Sequence, residues 1–185
     1  MAKSTNVAVG KPAIAGAVYC ALLSSNPTLP TDADTAVAEV FKPLGYVSED
    51  GMTNNNSTNT SEIKAWGGDT VFTPVPGKTD TFQFKLIEAL NAEVLKVIYG
   101  DANVTGTVDT GATVNVTTED YADRAWVFDM VLRGVKKRIV VPNAKITALG
   151  EIVYNDSSAV GYDITITAAP NSGGVTHYEY LKKQA

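Results

Sequence analysis

Residues that could carry out chemistry are few in this 185-residue chain. It contains one histidine, His177, and one cysteine, Cys20. A structural zinc site usually takes four nitrogen or sulfur ligands, so this supply is too small for an intrachain zinc centre. A Ser-His-Asp or Cys-His arrangement would have to use His177, and no Gly-x-Ser-x-Gly elbow accompanies it. We therefore expect His177 to be a surface residue and the protein to need no cofactor.

Neighbouring carboxylates are the other candidates for acid-base or calcium chemistry. They occur as three groups: Asp32 and Asp34; Glu49 and Asp50; and Glu119, Asp120 and Asp123. None matches the twelve-residue calcium loop, and each lies in a turn-like context. The phosphate-binding motifs Gly-x-x-x-x-Gly-Lys and Gly-x-Gly-x-x-Gly are also absent from the sequence. The sequence therefore predicts a protein that is not an enzyme.

The composition predicts a folded, mainly β protein. Hydrophobic residues make up 44% of the chain and charged residues 19%, which is typical of neither a disordered chain nor a membrane protein. The length suits one domain covering residues 1–185. With a net charge of -5 the molecule would repel a phosphate backbone, so tight binding of nucleic acid is disfavoured.

The apolar run Pro12–Leu23 contains Cys20, which we expect to be a buried small hydrophobe rather than a nucleophile. A single cysteine forms no intramolecular disulfide, so the fold needs no oxidising compartment. The run also resembles the apolar part of a signal peptide. Gly10, Pro12 and Gly16 lie close together, however, and no clean small-x-small cleavage site follows. We expect synthesis in the cytosol.

Alternating patterns predict several strands and one helix. The clearest strand is Thr81–Leu86, in which apolar and polar residues alternate. A helix is predicted over 87–99, because apolar residues then recur at helical spacing and Gly100 follows. Residues 1–11 lack such a pattern and are predicted to form an N-terminal arm. Further strands are predicted at 14–23, 44–47, 62–66, 70–73, 112–118, 124–133, 137–154 with an interruption at Pro142-Asn143, 161–169 and 175–181.

Residues 49–78 form the least regular part of the sequence. Asn54–Ser61 comprises eight consecutive small, uncharged polar residues, which cannot bury a face, so we expect a long loop. It leads into a small hairpin or flap around Ile63, Trp66 and Phe72. The segment is longer than the ~4–6 residues of most connections, and its apolar residues indicate docking on a partner.

One basic cluster is centred on a predicted hairpin turn at 134–136. It contains Arg133, Lys136, Lys137 and Arg138. Contact with nucleic acid is one interpretation. A second is that charges on a turn keep a β-rich protein soluble and protect its sheet edges. In a third, an acidic patch on one copy of the chain meets this basic turn on the next.

Three segments carry a family resemblance: Gly10–Pro12, Leu44–Gly51 and Glu62–Asp69. Together with the strand and helix at 82–99, they resemble the major tail tube proteins of long-tailed, non-contractile bacteriophages, the siphophage type. The resemblance implies a β-sandwich or barrel with one flanking α-helix, a long early loop at 49–78 and an N-terminal arm. It also implies hexameric rings that stack into a tail tube, through which DNA is delivered to the host.

In that family the arm and the early loop bridge neighbouring subunits and rings. The implied self-assembly contacts are Val7, Val9, Lys11, Asn55, Ile63, Lys64, Trp66 and Phe72. The implied partners are further copies of the chain, the tape-measure protein, and the tail terminator and distal tail proteins. DNA would pass through transiently, and no membrane is involved. The implied location is the virion tail, after synthesis in the bacterial host cytoplasm.

A β-sandwich module that binds carbohydrate or a cell surface is the alternative function. Tyr46, Trp66, Tyr178 and Tyr180 could line a platform for a sugar. A structural subunit should form rings or filaments as its concentration rises, whereas a binding module should stay small and bind glycan.

Overall fold

The computed structural model describes residues 2–13, 18–73 and 77–184. These ranges contain one α-helix, α1 (Ala92–Tyr99), and three short 3-10 turns at Ser4–Asn6, Leu23–Ser25 and Asp101–Asn103. The strands are β1 (Gly10–Pro12), β2 (Val18–Leu22), β3 (Lys42–Pro43), β4 (Val47–Asn59), β5 (Ile63–Lys64), β6 (Thr70–Phe72), β7 (Gly77–Leu86), β8 (Val104–Thr107), β9 (Gly111–Val114), β10 (Arg124–Leu132), β11 (Val135–Leu149), β12 (Tyr162–Ala168) and β13 (Tyr178–Lys183).

Most strands join one antiparallel sheet in the order β3-β2-β10-β11-β12-β7-β4. β1 adds to β10, and β13 adds to β11. β11 is 15 residues long, so its first part pairs with β13 and its second part with β12. The pairs β5-β6 and β8-β9 form two separate small sheets.

The large sheet curls so that its inner face closes on itself. The ring of Phe128 on β10 packs on Phe82 and Phe84 of β7, with centroid distances of 5.5 and 5.3 Å. β7 and β10 are separated in the sheet by β12 and β11, so these contacts cross the interior. The amphipathic helix α1 covers one side with Val94, Val97 and Ile98. The predicted mainly β fold with one flanking helix is confirmed.

A second, smaller cluster covers the outer face of β2, β10 and β11. Ala125 and Val127 of β10 point to this side, where Phe41 packs on them. Since the neighbouring Trp126 and Phe128 point into the main core, the first half of β10 is buried on both faces. The interruption predicted at Pro142-Asn143 is a bulge within β11, because the register with β10 shifts there.

The helix begins later than the sequence pattern predicts, at Ala92 rather than at residue 87. The side chain of Asn91 accepts a hydrogen bond from the Glu93 N–H at 3.0 Å and so caps the helix. The N–H of Ile87 instead donates to the carbonyl of Tyr46, which keeps the segment before the cap on the sheet. Gly100 ends the helix as predicted, with a φ of 97° and its N–H bonded to the Lys96 carbonyl.

The polar loop predicted before the flap is wrong from residue 49 to Asn59, because these residues form a β ribbon with β7, whereas β5 and β6 lie within the hairpin predicted at 62–73. β4 pairs with β7 from Met52 opposite Phe84 to Asn59 opposite Gly77. Residues 53–58 are exposed on both faces of the ribbon, so no apolar alternation marks the strand. Hydrogen bonds between backbones, which depend little on side-chain type, hold it instead. The Asp50-Gly51 pair lies in a bulge of β4 and does not end a strand.

Candidate assembly interface

The ribbon ends in an exposed apolar tip, residues 60–73, which we call the distal hairpin. In it β5 and β6 pair, with Ile63 opposite Phe72. Both side chains are more than half exposed, and Trp66 in the turn is 107% exposed. Lys64 forms an ion pair with Glu62 at 3.5 Å, also in solvent. An exposed group of large apolar side chains on a projecting element is typical of a protein contact surface.

A buried carboxylate ties the base of the ribbon to the body. Asp80 lies on the inner face of β7, where Oδ1 accepts a hydrogen bond from Asn54 of β4 at 2.8 Å. Its Oδ2 accepts one from the Thr176 hydroxyl at 2.7 Å and lies 2.5 Å from His177 Nδ1. The His177 ring also packs edge-on against Phe82, with centroids 5.3 Å apart. These contacts join β4, β7 and the segment before β13.

The expectation that His177 lies on the surface is therefore wrong, since its side chain is only 16% exposed. The sequence contained a signal for this site. Asp80 continues the alternation of Phe82, Phe84 and Leu86, so its side chain lies on the same inner side of the strand. Burial and hydrogen bonding at this site act on the pKa of Asp80 in opposite directions. Burial raises it, but the hydrogen bonds from Thr176, His177 and Asn54 together outweigh burial and hold the pKa below its ordinary value.

The N-terminal arm lies against the turn between β10 and β11. β1 pairs with the end of β10, with Gly10 opposite Leu132. Beyond it, the Arg133 guanidinium donates hydrogen bonds to the carbonyls of Ser4 and Val7 at 2.9 and 3.2 Å. Val7 and Val9 remain largely exposed in this position. The arm therefore presents apolar side chains while its backbone is held.

The four residues predicted to form a basic turn do not share one surface. Only Arg133 lies in the turn, whereas Lys136, Lys137 and Arg138 belong to β11. Arg138 is buried, and its Nε and Nη2 atoms donate to the two carboxylate oxygens of Asp129 at 2.7 and 2.8 Å. This pairing raises the pKa of Arg138.

Acidic partners also neutralise the two lysines of this group. Lys136 lies 2.7 Å from Asp34, and Lys137 lies 2.7 Å from Glu179. Asp34 and Glu179 come from distant segments, so the sequence around the turn does not reveal them as partners. The prediction of a single basic patch is therefore wrong. Among the described residues, Arg133 is the only one of the four that binds no carboxylate.

The carboxylate groups serve turns and ion pairs. Asp32 accepts hydrogen bonds from the backbone and hydroxyl of Thr35, which lower its pKa to about 2. Asp34 binds Lys136 and Lys182, and Asp120 binds Lys145. Over the described ranges, no group of three or more His, Cys, Asp or Glu residues could hold a metal ion.

The aromatic residues considered for a sugar platform do not converge. Tyr178 and Tyr180 stack on each other and pack partly buried against the outer face of the sheet. Tyr46 and Trp66 are exposed but flank the 13-residue strand β4 at opposite ends. Cys20 lies in the main core as predicted, and burial raises the pKa of its thiol to about 12.

The outward side of β4, β7 and β12 carries mainly uncharged polar side chains, together with Lys85 of β7 and Asp163 of β12, and we call it the hydroxyl face. Register places Thr53, Gln83 and Thr165 in one row and Asn55, Thr81 and Thr167 in the next. All six are exposed or half-exposed. On the neighbouring strand β11, the Thr147 hydroxyl forms a hydrogen bond with that of Thr167 at 2.8 Å.

The curled β sheet thus carries an exposed apolar hairpin and a docked arm, which are surfaces suited to protein contact. The chain belongs to the phage tail tube protein family, whose sequence model matches residues 1–185. The resemblance inferred from the three short segments is thereby confirmed at the level of the family. Members of this family are structural components of the virion tail.

Three solved structures align with the chain at 11% identity each. The tube-terminating cap of the anti-feeding prophage gives a TM-score of 0.40 over 98% of this chain and 100% of the other. The sheath/tube terminator of the extracellular contractile injection system PVC gives 0.38 over 91% and 96%. The sheath-tube complex of the same system gives 0.35 over 94% and 92%. No curated protein matches the sequence significantly. Among the described residues, no helix is long and apolar enough to cross a membrane.

Proposed function

We propose that residues 1–185 act as one repeating subunit of a phage tail tube, which assembles as stacked hexameric rings and conducts DNA to the host. The observation that carries this proposal is the family match over the whole chain. The sequence resemblance to the tubes of long-tailed, non-contractile phages supports a tail of that type.

Two candidate contact segments point to the same end of the subunit. β7 and β11 are both antiparallel to β12, which lies between them, so they run in the same direction. The distal hairpin joins the start of β7, and the turn that holds the arm joins the start of β11. A contact between stacked rings would engage both segments together. This placement supports the proposal that the arm and the hairpin bridge adjacent rings.

The free edge of β4 is the proposed contact within a ring. β4 pairs with β7 on one side only among the described strands. Pairing with a neighbouring copy would satisfy the backbone groups along this edge and protect it from non-specific association. Six subunits joined edge to edge would close a ring and leave no edge of this kind open.

The hydroxyl face is the surface that we propose for the channel lining. A channel for DNA must be wetted yet must not bind phosphates strongly, and uncharged hydroxyl and amide groups meet both conditions. On the same face, Lys85 and Asp163 lie opposite each other in the register of β7 and β12, and Lys145 of β11, opposite Thr167, pairs with Asp120. Their charges offset one another, so they would add little net attraction for a phosphate backbone.

The remaining proposed partners follow from this role. The contact between stacked rings would repeat without limit, so the subunit alone would not fix the length of the tube. Other components must therefore determine where the tube stops. We propose a tape-measure protein inside the growing tube, and terminator and distal tail proteins at its ends. The subunit would be made in the host cytoplasm and would function in the virion tail.

Negative-stain microscopy of the purified protein over a concentration series tests the proposal. We expect rings or tubes above a threshold concentration. Trp66→Ser should raise that threshold at least about tenfold, because a large buried aromatic commonly dominates an interface. Tyr154→Ser, which removes another exposed aromatic in a different loop, should leave the threshold unchanged. A wild-type protein that stays monomeric at every concentration would overturn the proposal, and glycan binding by that monomer would favour the adhesion function.

A further inference from the structure

The two ends of β10 carry opposite charge. The end at Leu132 adjoins the turn and the N-terminal arm, and the end at Arg124 adjoins α1 and residues 101–123. β10 has nine residues, so at about 3.3 Å per residue its ends lie about 26 Å apart. Any contact between unlike ends of two copies is therefore head to tail.

The arm end is basic and partly apolar. Lys3, Lys11 and Lys183 are exposed and form no ion pair within the described ranges. Arg133 adds a fourth cation, since its guanidinium binds backbone carbonyls and pairs with no carboxylate in the part of the chain that the structure describes. The exposed side chains of Val7 and Val9 belong to the same segment. This end therefore offers unneutralised positive charge beside apolar surface.

The opposite end contains an acidic groove of about 360 Å³. Its lining includes the carboxylates of Asp101, Glu119 and Asp120, together with Val116 and Tyr121. Arg124 pairs with Asp101 and Lys145 with Asp120. Glu119 receives only a 3.5 Å contact from the Asn103 amide, and the neighbouring Asp123 is exposed. Val116 is 76% exposed. The groove therefore combines negative charge with apolar surface, as the complement of the arm end.

We propose that the arm end of one copy docks into the acidic groove of a second copy, with Val7 and Val9 against the apolar lining and the lysines beside Glu119 and Asp123. This contact joins two unlike surfaces at opposite ends of the subunit, so each copy can bind one copy at either end and the contact can repeat along one axis. The inference rests on the proposed function, and it assigns the axial contact between stacked subunits. Opposite charge at the two surfaces speeds docking and selects the head-to-tail orientation over head to head.

A charge exchange between two variants tests the contact. Variant A carries Lys3→Glu, Lys11→Glu and Lys183→Glu, so both of its ends are acidic. Variant B carries Glu119→Lys and Asp123→Lys, so both of its ends are basic. All five side chains are exposed, and thermal unfolding should show that both variants keep the wild-type fold. A control with Glu39→Lys and Asp156→Lys changes the net charge as variant B does, at exposed positions elsewhere.

Each variant alone should need at least about tenfold more protein than wild type to form stacks, because like charges then face each other. An equimolar mixture should assemble near the wild-type threshold, since every A-to-B contact again joins opposite charges. The control should behave as wild type, and raising the salt concentration from 0.05 to about 0.5 M should weaken wild-type stacking through screening. Variants that stack as wild type does, or a mixture that stays unassembled, would overturn the inference. A wild type that forms no assemblies would instead refute the proposed function.

Discussion

His177 and Asp80 lie 97 residues apart in sequence, yet the Nδ1 atom of the histidine is 2.5 Å from Oδ2 of the aspartate. The aspartate is buried at the base of the β4-β7 ribbon, and it also receives hydrogen bonds from Asn54 and Thr176. One carboxylate therefore fixes three segments that diverge from this point.

Asp80→Asn should destabilise the fold by about 2–3 kcal/mol, because hydrogen bonds to a charged acceptor each contribute about 1.5–3 kcal/mol and the amide replaces one acceptor oxygen with a donor. Urea unfolding at pH 7, followed by tryptophan fluorescence, measures the change. Asp109→Asn is the matched control, since Asp109 is exposed in the turn between β8 and β9, and it should change stability by less than about 0.5 kcal/mol. Equal stability of the two variants would show that the buried site contributes little.

The stability difference between wild type and Asp80→Asn should depend on pH in acid. The pKa of Asp80 is lowered in the folded protein from its ordinary value of 3.8. A lowered carboxyl pKa contributes stability that is fully present above 3.8 and is lost as pH falls through the folded value. Urea midpoints for both proteins between pH 6 and pH 2.5 should therefore differ by a constant amount above about pH 5 and converge below 3.8. Asp32, Asp34 and Asp120 also have lowered pKa values, but they are common to both proteins and cancel in the difference. A constant difference down to pH 2.5 would contradict the assignment.

Arg138→Met should cost about 3–5 kcal/mol, because it leaves the carboxylate of Asp129 largely buried without its partner. Lys136→Met is the matched control two positions earlier on β11, where the pair with Asp34 is far more exposed, and it should cost less than about 1 kcal/mol. Chemical denaturation of both variants measures the contrast. If Arg138 were a solvated turn residue, as the sequence pattern predicts, the two substitutions would have equal effects.

The Cys20 thiol should not react with a disulfide reagent at pH 8 while the protein is folded. Burial raises its pKa to about 12, so the thiolate fraction is on the order of one in ten thousand, and the side chain is also inaccessible. In denaturing urea one thiol per chain should react. Ser172→Cys, in an exposed turn, supplies a thiol that should react at once in the folded state. Rapid modification of the folded wild type would mean that the core around β2 opens readily.

Local patterns were sufficient for much of the fold. Strict alternation identified β12 to within one residue at each end, and it identified β7 from residue 81 to its end but missed its first four residues. Gly100 marked the end of α1 correctly, because a residue with a φ of 97° at a helix end is almost always glycine. The start of α1 was misplaced, because apolar residues from 87 onward fit a helix as well as they fit the turn that precedes Asn91.

The candidate interface was only partly predictable. Trp66, Ile63 and Phe72 could be proposed as contacts from their type alone, since large apolar residues in a segment without core pattern indicate docking. That they lie on a projecting hairpin depends on the pairing of β4 with β7, which the polar sequence of Asn54–Ser61 does not reveal. The acidic groove was also missed, because it combines residues after α1 with residues before β10.

The sequence by itself determined the strands with clear alternation, such as β10 and β12, that Cys20 is buried, and that the chain is a phage tail tube protein. These properties follow from local periodicity, side-chain size and ordered short motifs, which neighbouring residues carry. Only the tertiary structure decided that Arg138 pairs with Asp129, that His177 lies partly buried against Asp80, and that β10 has one basic and one acidic end. Each of these depends on which distant strands become neighbours, and burial and ion pairing are set by those neighbours rather than by the residue itself.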